Sequence, residues 1–272
     1  HIPPDVDICV CTDLDEVFRS GWRKRIEKVW NPNVKLGTYL YNWSLMEDGT
    51  PDVQFHYFKI HSRQGFRWVY PIHEVLQYTG EEELTTVFLS GVVLNHYPDY
   101  SKSRDSYLPL LELAVAEDPQ SDRMTYYLGR EYVYTEQHEK AIETLTKHLS
   151  LPTATWAPER CASMRGIAQS YFKLGMIKQA FSWYYKAIQE MPAMRDPYVE
   201  CAIMGYELND WASVLYMVKS ALKIKKKIPD YVNMWYAWDH TLNDLGAIAC
   251  YQLGMYAKSL AHASEAVRIC PT

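Results

Sequence analysis

Beyond residue 119 the chain repeats itself, and this limits its fold more than any other feature. A first copy carries Leu128-Gly129, Tyr132, Ala141, Leu145 and Pro152. A second carries Ile167-Ala168, Tyr171, Gly175, Ala180, Tyr184, Ala187 and Pro192. A degenerate third has Asn209, Val214 and Ala221, and a fourth has Ala247, Gly254, Ser259, Ala266 and Pro271. Gly175 to Pro192 and Gly254 to Pro271 span the same interval. Apolar residues at helical spacing, broken by turn formers, predict helices in pairs. Small residues recur where two helices of a pair cross closely, and Gly, Asn or Glu falls at the turn. Such pairs, at a period of about 34 residues, cannot bury their apolar faces alone and must stack into a superhelix with a concave surface. The third-to-fourth interval is longer, because Lys223 to Tyr236 inserts a basic loop or an extended helix. Trp183, Tyr184, Tyr185, Trp211, Tyr216, Trp235, Tyr236 and Trp238 exceed what a core needs. Most belong to packing between helices; a few suit a groove or an oligomer interface.

The first hundred residues follow a different rule. Ile8 to Cys11 is a short apolar run that reads as a buried strand and stops at Asp13-Leu14-Asp15-Glu16. On an extended chain Asp13 and Asp15 share a side. Two carboxylates at a strand end suit Mg²⁺ or Mn²⁺; equally, Asp15 can cap the helix that follows. Phe18, Trp22, Ile26 and Val29 recur at helical spacing, so a helix is expected after Asp15, ending at Asn31-Pro32-Asn33. Tyr39, Tyr41, Trp43 and Leu45 alternate with Leu40, Asn42 and Ser44, and Val53, Phe55 and Tyr57 repeat the pattern. The Asp48-Gly49 pair between them signals a hairpin. Lys59 to Trp68 and Tyr70 to Val75 mix donors with rings, which suits a grip on phosphate and sugar or a plain surface loop. His73-Glu74 can supply a general base or be an ordinary surface pair. Leu89 to Pro98 reads as a second buried strand ending in His96, a candidate third metal ligand or a structural histidine.

Composition excludes several classes. Of 272 residues 48% are hydrophobic and 14% aromatic, enough for a packed core of one or two domains. The net charge of -5, without a long basic run, argues against nucleic acid as a partner. The six cysteines form no C-x-x-C pair; Cys9 and Cys11 share a strand face and suit core packing. A reduced, cytoplasmic protein is the simplest expectation. No signal peptide or membrane-length apolar run is visible. The start, His1-Ile2-Pro3-Pro4-Asp5, reads as the latter part of a longer protein.

Together these residues resemble glycosyltransferase family 2 proteins of GT-A fold that carry a C-terminal tetratricopeptide region. Asp13-Leu14-Asp15 matches the family's D-x-D motif. Trp68-Val69-Tyr70-Pro71-Ile72-His73-Glu74 resembles its W-x-x-P-[IV]-H-E segment, and Leu94-Asn95-His96-Tyr97 its late metal-ligand histidine. The resemblance implies an α/β, Rossmann-like GT-A domain over residues 1–118, lacking its front half, and an all-α, tetratricopeptide-like solenoid over 119–272. It implies a hexosyltransferase-like enzyme that moves a sugar from a nucleotide-sugar, a UDP-sugar foremost, to a glycan, peptide or protein acceptor with inversion. Asp13, Asp15 and His96 would hold Mn²⁺ or Mg²⁺. Asp13, Asp15, Arg63 and Arg67 would contact the donor, and Glu74, beside His73, would deprotonate the acceptor. The repeats would bind the acceptor or form a homo-oligomer. The alternatives are a non-enzymatic scaffold whose repeats bind a protein or peptide, and a metal-dependent hydrolase or phosphotransferase.

Overall fold

The structure is a computed structural model and describes residues 3, 5–99 and 107–271. Ser101-Lys102-Ser103-Arg104-Asp105, which by sequence reads as the opening of a helix, lies outside them, as do His1, Ile2 and Pro4. The chain divides into two compact units. One holds the strands with residues 229–231, and the other holds the helices from Tyr107 on.

The first unit contains β1 (Ile8–Val10), β2 (Glu16–Phe18), α1 (Trp22–Val29), β3 (Leu36–Asn42), β4 (Gln54–Ser62), β5 (Phe66–Val69), β6 (Val75–Tyr78) and β7 (Thr86–His96). Five strands form one sheet in the order β1-β4-β3-β7-β2, and β5 and β6 pair separately. The expected β3–β4 hairpin is present, with Tyr39 opposite Tyr57 and Tyr41 opposite Phe55. Tyr39, Tyr41, Ile60, Leu89, Val92 and Leu94 are buried together with Ile26 of α1.

Two expectations need correction here. Residues 16–18 are a strand, because Glu16, Val17 and Phe18 pair with His96, Asn95 and Leu94. Gly21, at φ 82, ends that run before α1 begins. Phe18 stacks on Trp22 at 4.9 Å, so a strand residue and a helix residue together imitate a helical spacing. The Rossmann-like GT-A architecture is not found either. The pairings β1–β4, β3–β4 and β2–β7 are antiparallel, and only β3–β7 is parallel. A parallel pair of the doubly wound kind needs a crossover helix. Here β3 reaches β7 through β4, β5 and β6.

The second unit is all helix. α2 (Tyr107–Glu117) packs on α3 (Asp122–Tyr134), which pairs with α4 (His138–Ser150). Three further pairs follow: α5 (Ala157–Lys173) with α6 (Ile177–Glu190), α7 (Asp196–Glu207) with α8 (Trp211–Lys223), and α9 (Thr241–Gln252) with α10 (Tyr256–Ile269). The repeat seen in sequence is repeated in geometry. The first helix of each pair ends on a residue with positive φ: Glu136, Gly175, Asn209 and Gly254. The amide after each bonds back across the turn, Gln137 to Tyr132, Met176 to Tyr171, Asp210 to Gly205 and Met255 to Cys250. These are four Schellman turns, which tie off the loose carbonyls at each helix end. Gly175 and Asn209 stand 34 residues apart (209 − 175). The small residues serve as expected: a Cβ on Gly129 would come within 2.4 Å of Leu145. Ala168, Ala180, Ala202, Ala221 and Ala249 are buried in one continuous core.

His148 of α4 is buried against Tyr126, and its Nδ1 meets Ser163 Oγ at 2.8 Å. Burial, with Arg160 adding and Asp122 opposing, pushes its pKa down to about 4. An unfolded chain takes that proton first, near pH 6.5. Stability is therefore full above pH 6.5 and falls by roughly 3 kcal/mol as the pH drops towards 4. Urea midpoints at pH 7 and pH 4.5 should show the loss. His148→Gln, which does not titrate, should flatten it; an unchanged slope would assign the loss to other groups.

Candidate functional site

At one end of the sheet, charged side chains converge between β1, β2, β4 and β7. Glu16 starts β2 with its side chain buried, and the Tyr41 hydroxyl donates to it at 2.8 Å. Lys59, in line with Phe55 and Tyr57 on β4, donates to Asp13 at 2.8 Å and to Glu16 at 3.2 Å. Burial works against the Lys59 charge, but the bond to Asp13, with Tyr57 and Glu16 nearby, raises its pKa above the ordinary lysine value. Asp13 takes part in the turn that leads to β2, since its amide donates to Glu16 Oε2 at 2.8 Å.

The other residues singled out from sequence divide into two places. Asp15 approaches His96 Nε2 at 3.7 Å, while His96 Nδ1 meets the Trp43 carbonyl at 2.9 Å and its ring stacks on Trp43. Thus Asp13, Asp15 and His96 do lie near one sheet end, because Glu16 pairs with His96. His73 and Glu74 fall in the β5–β6 connection, where His73 has φ 51 and Glu74 is exposed. Arg67 is exposed on β5 and donates to Gln77 at 2.9 Å. Arg63 follows β4, its amide bonded to the Asp7 carbonyl. Among the described residues no group of three His, Cys, Asp or Glu stands close enough to hold a metal ion. Lys59 takes the Asp13 carboxylate as an ion pair, and Asp15 stands against His96 beside it.

The helical unit carries two features that go beyond the sequence reading. The first is a strap between α8 and α9, residues 224–228 and 232–238 of this unit, within the insertion expected as a basic loop or an extended helix. Arg165 of α5 is buried; it forks onto Glu200, lies 3.7 Å from Asp196 and donates to the Val232 carbonyl at 3.1 Å. Tyr236 donates to Glu200 at 2.9 Å, and Asp196 accepts the Met234 amide. Burial opposes the Arg165 charge, but Glu200 and Asp196 hold it well above its usual pKa. Arg195 grips the Ile224 and Ala237 carbonyls and lies 4.0 Å over the Trp238 ring. The strap is therefore a loop with one short 3-10 turn, Trp235–Ala237, fixed by two arginines.

The second feature is a cleft of about 820 Å³ between α6 and α8. First helices of successive pairs touch, α3 to α5, α5 to α7 and α7 to α9. The second helices make no comparable contact among the described residues, so a gap opens between them. Tyr185, Tyr198 and Tyr216 wall it, and Lys223 stands at one end. The signal present in sequence was the surplus of tyrosine; nothing local told which rings would face outward.

No family model matches the sequence. No curated protein matches it. Among solved structures the chain is similar to MamA, at 15% identity over 63% of this chain and 95% of that one, with a TM-score of 0.48. It is similar to a chain of the APC/C hetero-tetramer Cut9–Hcn1, at 14% identity over 61% of this chain and 30% of that one, with a TM-score of 0.48. It is also similar to TTC0263, a thermophilic TPR protein in Thermus thermophilus, at 18% identity over 62% of this chain and 84% of that one, with a TM-score of 0.45. The last is described as a TPR protein, and none of the three is described as a glycosyltransferase. At such identities the likeness concerns fold alone, and the repeat architecture stands on its turns and packing. The mixed sheet and the helical repeats correct the family 2 glycosyltransferase expectation, with its GT-A domain, its D-x-D reading and the sugar-transfer activity expected from that fold. No helix of the described residues is long and apolar enough to cross a membrane.

Proposed function

We propose that the chain is a non-enzymatic scaffold whose helix pairs hold protein or peptide partners, further copies of itself among them. The observation that supports this is the display of large rings on the repeat surface. Tyr216 is 67% exposed, Tyr251 62% and Tyr256 65%. Tyr256, Leu260 and Val267 fall on one face of α10, and Leu260 is 69% exposed. Folding gains little from rings left in water, whereas protein interfaces over-use tyrosine. Contiguous exposed apolar surface marks interaction sites in proteins of this size.

The test is site-specific cross-linking. A benzophenone side chain in place of Tyr216 or Tyr251 should give discrete protein adducts on irradiation in cell extract. The same probe at Arg23, on the exposed side of α1, should give none. Absence of adducts at both tyrosine positions would sink the scaffold reading.

A further inference from the structure

We propose that the α6–α8 cleft binds an acidic, extended segment of a partner protein, an assignment that rests on the scaffold reading above. The cleft exists because α8 turns short side chains toward α6. Ala212, Ser213 and Ser220 leave the space, and the buried Met217 forms its apolar floor. A volume of about 820 Å³ lies within the range of ligand-binding clefts. The walls suit an extended chain. Such a chain has unpaired backbone carbonyls, and tyrosine hydroxyls donate to them. Tyr185 and Tyr216 are half or more exposed, while Tyr198 is already committed to the Pro192 carbonyl at 3.2 Å. Prolines or rings of the ligand would lie on the tyrosine faces, as in other aromatic-lined grooves.

Charge selects the ligand. Lys223 lines the end of the cleft, and Lys225 and Lys226 follow it, exposed. None of the three forms an ion pair among the described residues. Glu190, at the end of α6, is taken up by Arg160 at 2.7 Å. The C-terminal end of α8 favours cations, so its dipole holds Lys223 there without a partner. The whole chain carries a net charge of -5, so these lysines are a local exception. A negatively charged peptide complements them. A nucleic acid, with its dense phosphate charge, would meet the repulsion of the rest of the surface.

Anisotropy of a fluorescein-labelled peptide of alternating Glu and Pro, added to the full chain, tests this. Binding is expected, weakening as salt rises. The triple variant Lys223→Glu/Lys225→Glu/Lys226→Glu should weaken it by about tenfold or more, and Tyr216→Ala by about fivefold, with unchanged circular dichroism. A peptide of alternating Lys and Pro should not bind. Equal binding by the triple variant, or equal binding of the Lys-Pro peptide, would overturn the proposal. Preferential binding of an oligothymidylate would overturn it in favour of nucleic acid. Adducts at Tyr216 without any Glu-Pro binding would overturn the acidic ligand and leave the scaffold standing. Loss of both would remove both.

Discussion

Arg165→Leu should lower the stability of the helical unit by about 3–5 kcal/mol, the usual loss when one partner of a buried ion pair is removed. The reason lies in what stays behind. Asp196 is fully buried and Glu200 nearly so, and without the guanidinium both carboxylates face a low-dielectric interior. The Val232 carbonyl also loses its donor. Helix content followed by circular dichroism during urea unfolding should show the shift. Hydrogen exchange should show α5 and α7 losing protection together. Arg165→Lys should rescue little, because an ammonium cannot fork onto Glu200 while also reaching Val232. Adding Asp196→Asn and Glu200→Gln to Arg165→Leu removes the stranded charge and should return most of the loss. A single Arg165→Leu variant within about 1 kcal/mol of wild type would show that the network contributes little.

Lys59→Met is the counterpart in the sheet unit. Glu16 would keep its buried carboxylate with the Tyr41 hydroxyl and the Asp13 amide as donors but no cation, and Asp13 would lose its cation too. The expected cost is again about 3–5 kcal/mol, read as faster amide exchange in β2 and β4. Glu16→Gln in the same chain should restore much of it. Asp13→Asn alone should cost far less, since the Asp13 side chain is 69% exposed and such pairs are weak.

The helical part was legible because its information is local. Leu128, Gly129, Ala141, Leu145, Ile167, Ala168, Ala180 and Ala187 are all buried or close-packed where the period put them. Gly175 and Gly254 mark turns in any chain, because they adopt positive φ at little cost. Asn209 and Glu136 do the same work with less obvious chemistry. The sheet end was not legible in the same way. Asp13-Leu14-Asp15-Glu16 drew attention to Asp13 and Asp15, yet the buried acid is Glu16. Its partner Lys59 is 43 residues away, and no local pattern joins the two. One clue was available: Lys59 continues the inward alternation of Phe55 and Tyr57, where a charge needs a counter-charge. A short acidic motif fits a metal site, a helix cap or a salt bridge equally well, and here the lysine took the first carboxylate. Likewise Arg165 and Val232 meet across 67 residues, so the strap read only as a basic insertion.

The strap changes how the helical pairs share their stability. In a plain stack each pair leans only on its neighbours, and the ends fray one pair at a time. Here the connection between the third and fourth pairs is bonded to Arg165 in the second, so a contact skips one pair altogether. The fourth pair cannot peel away without pulling on that bond, nor can α5 loosen without freeing the strap. Three of the four pairs should therefore melt as a single cooperative block, with one denaturant transition for α5 to α10, and a partner that holds any one of them should steady the rest.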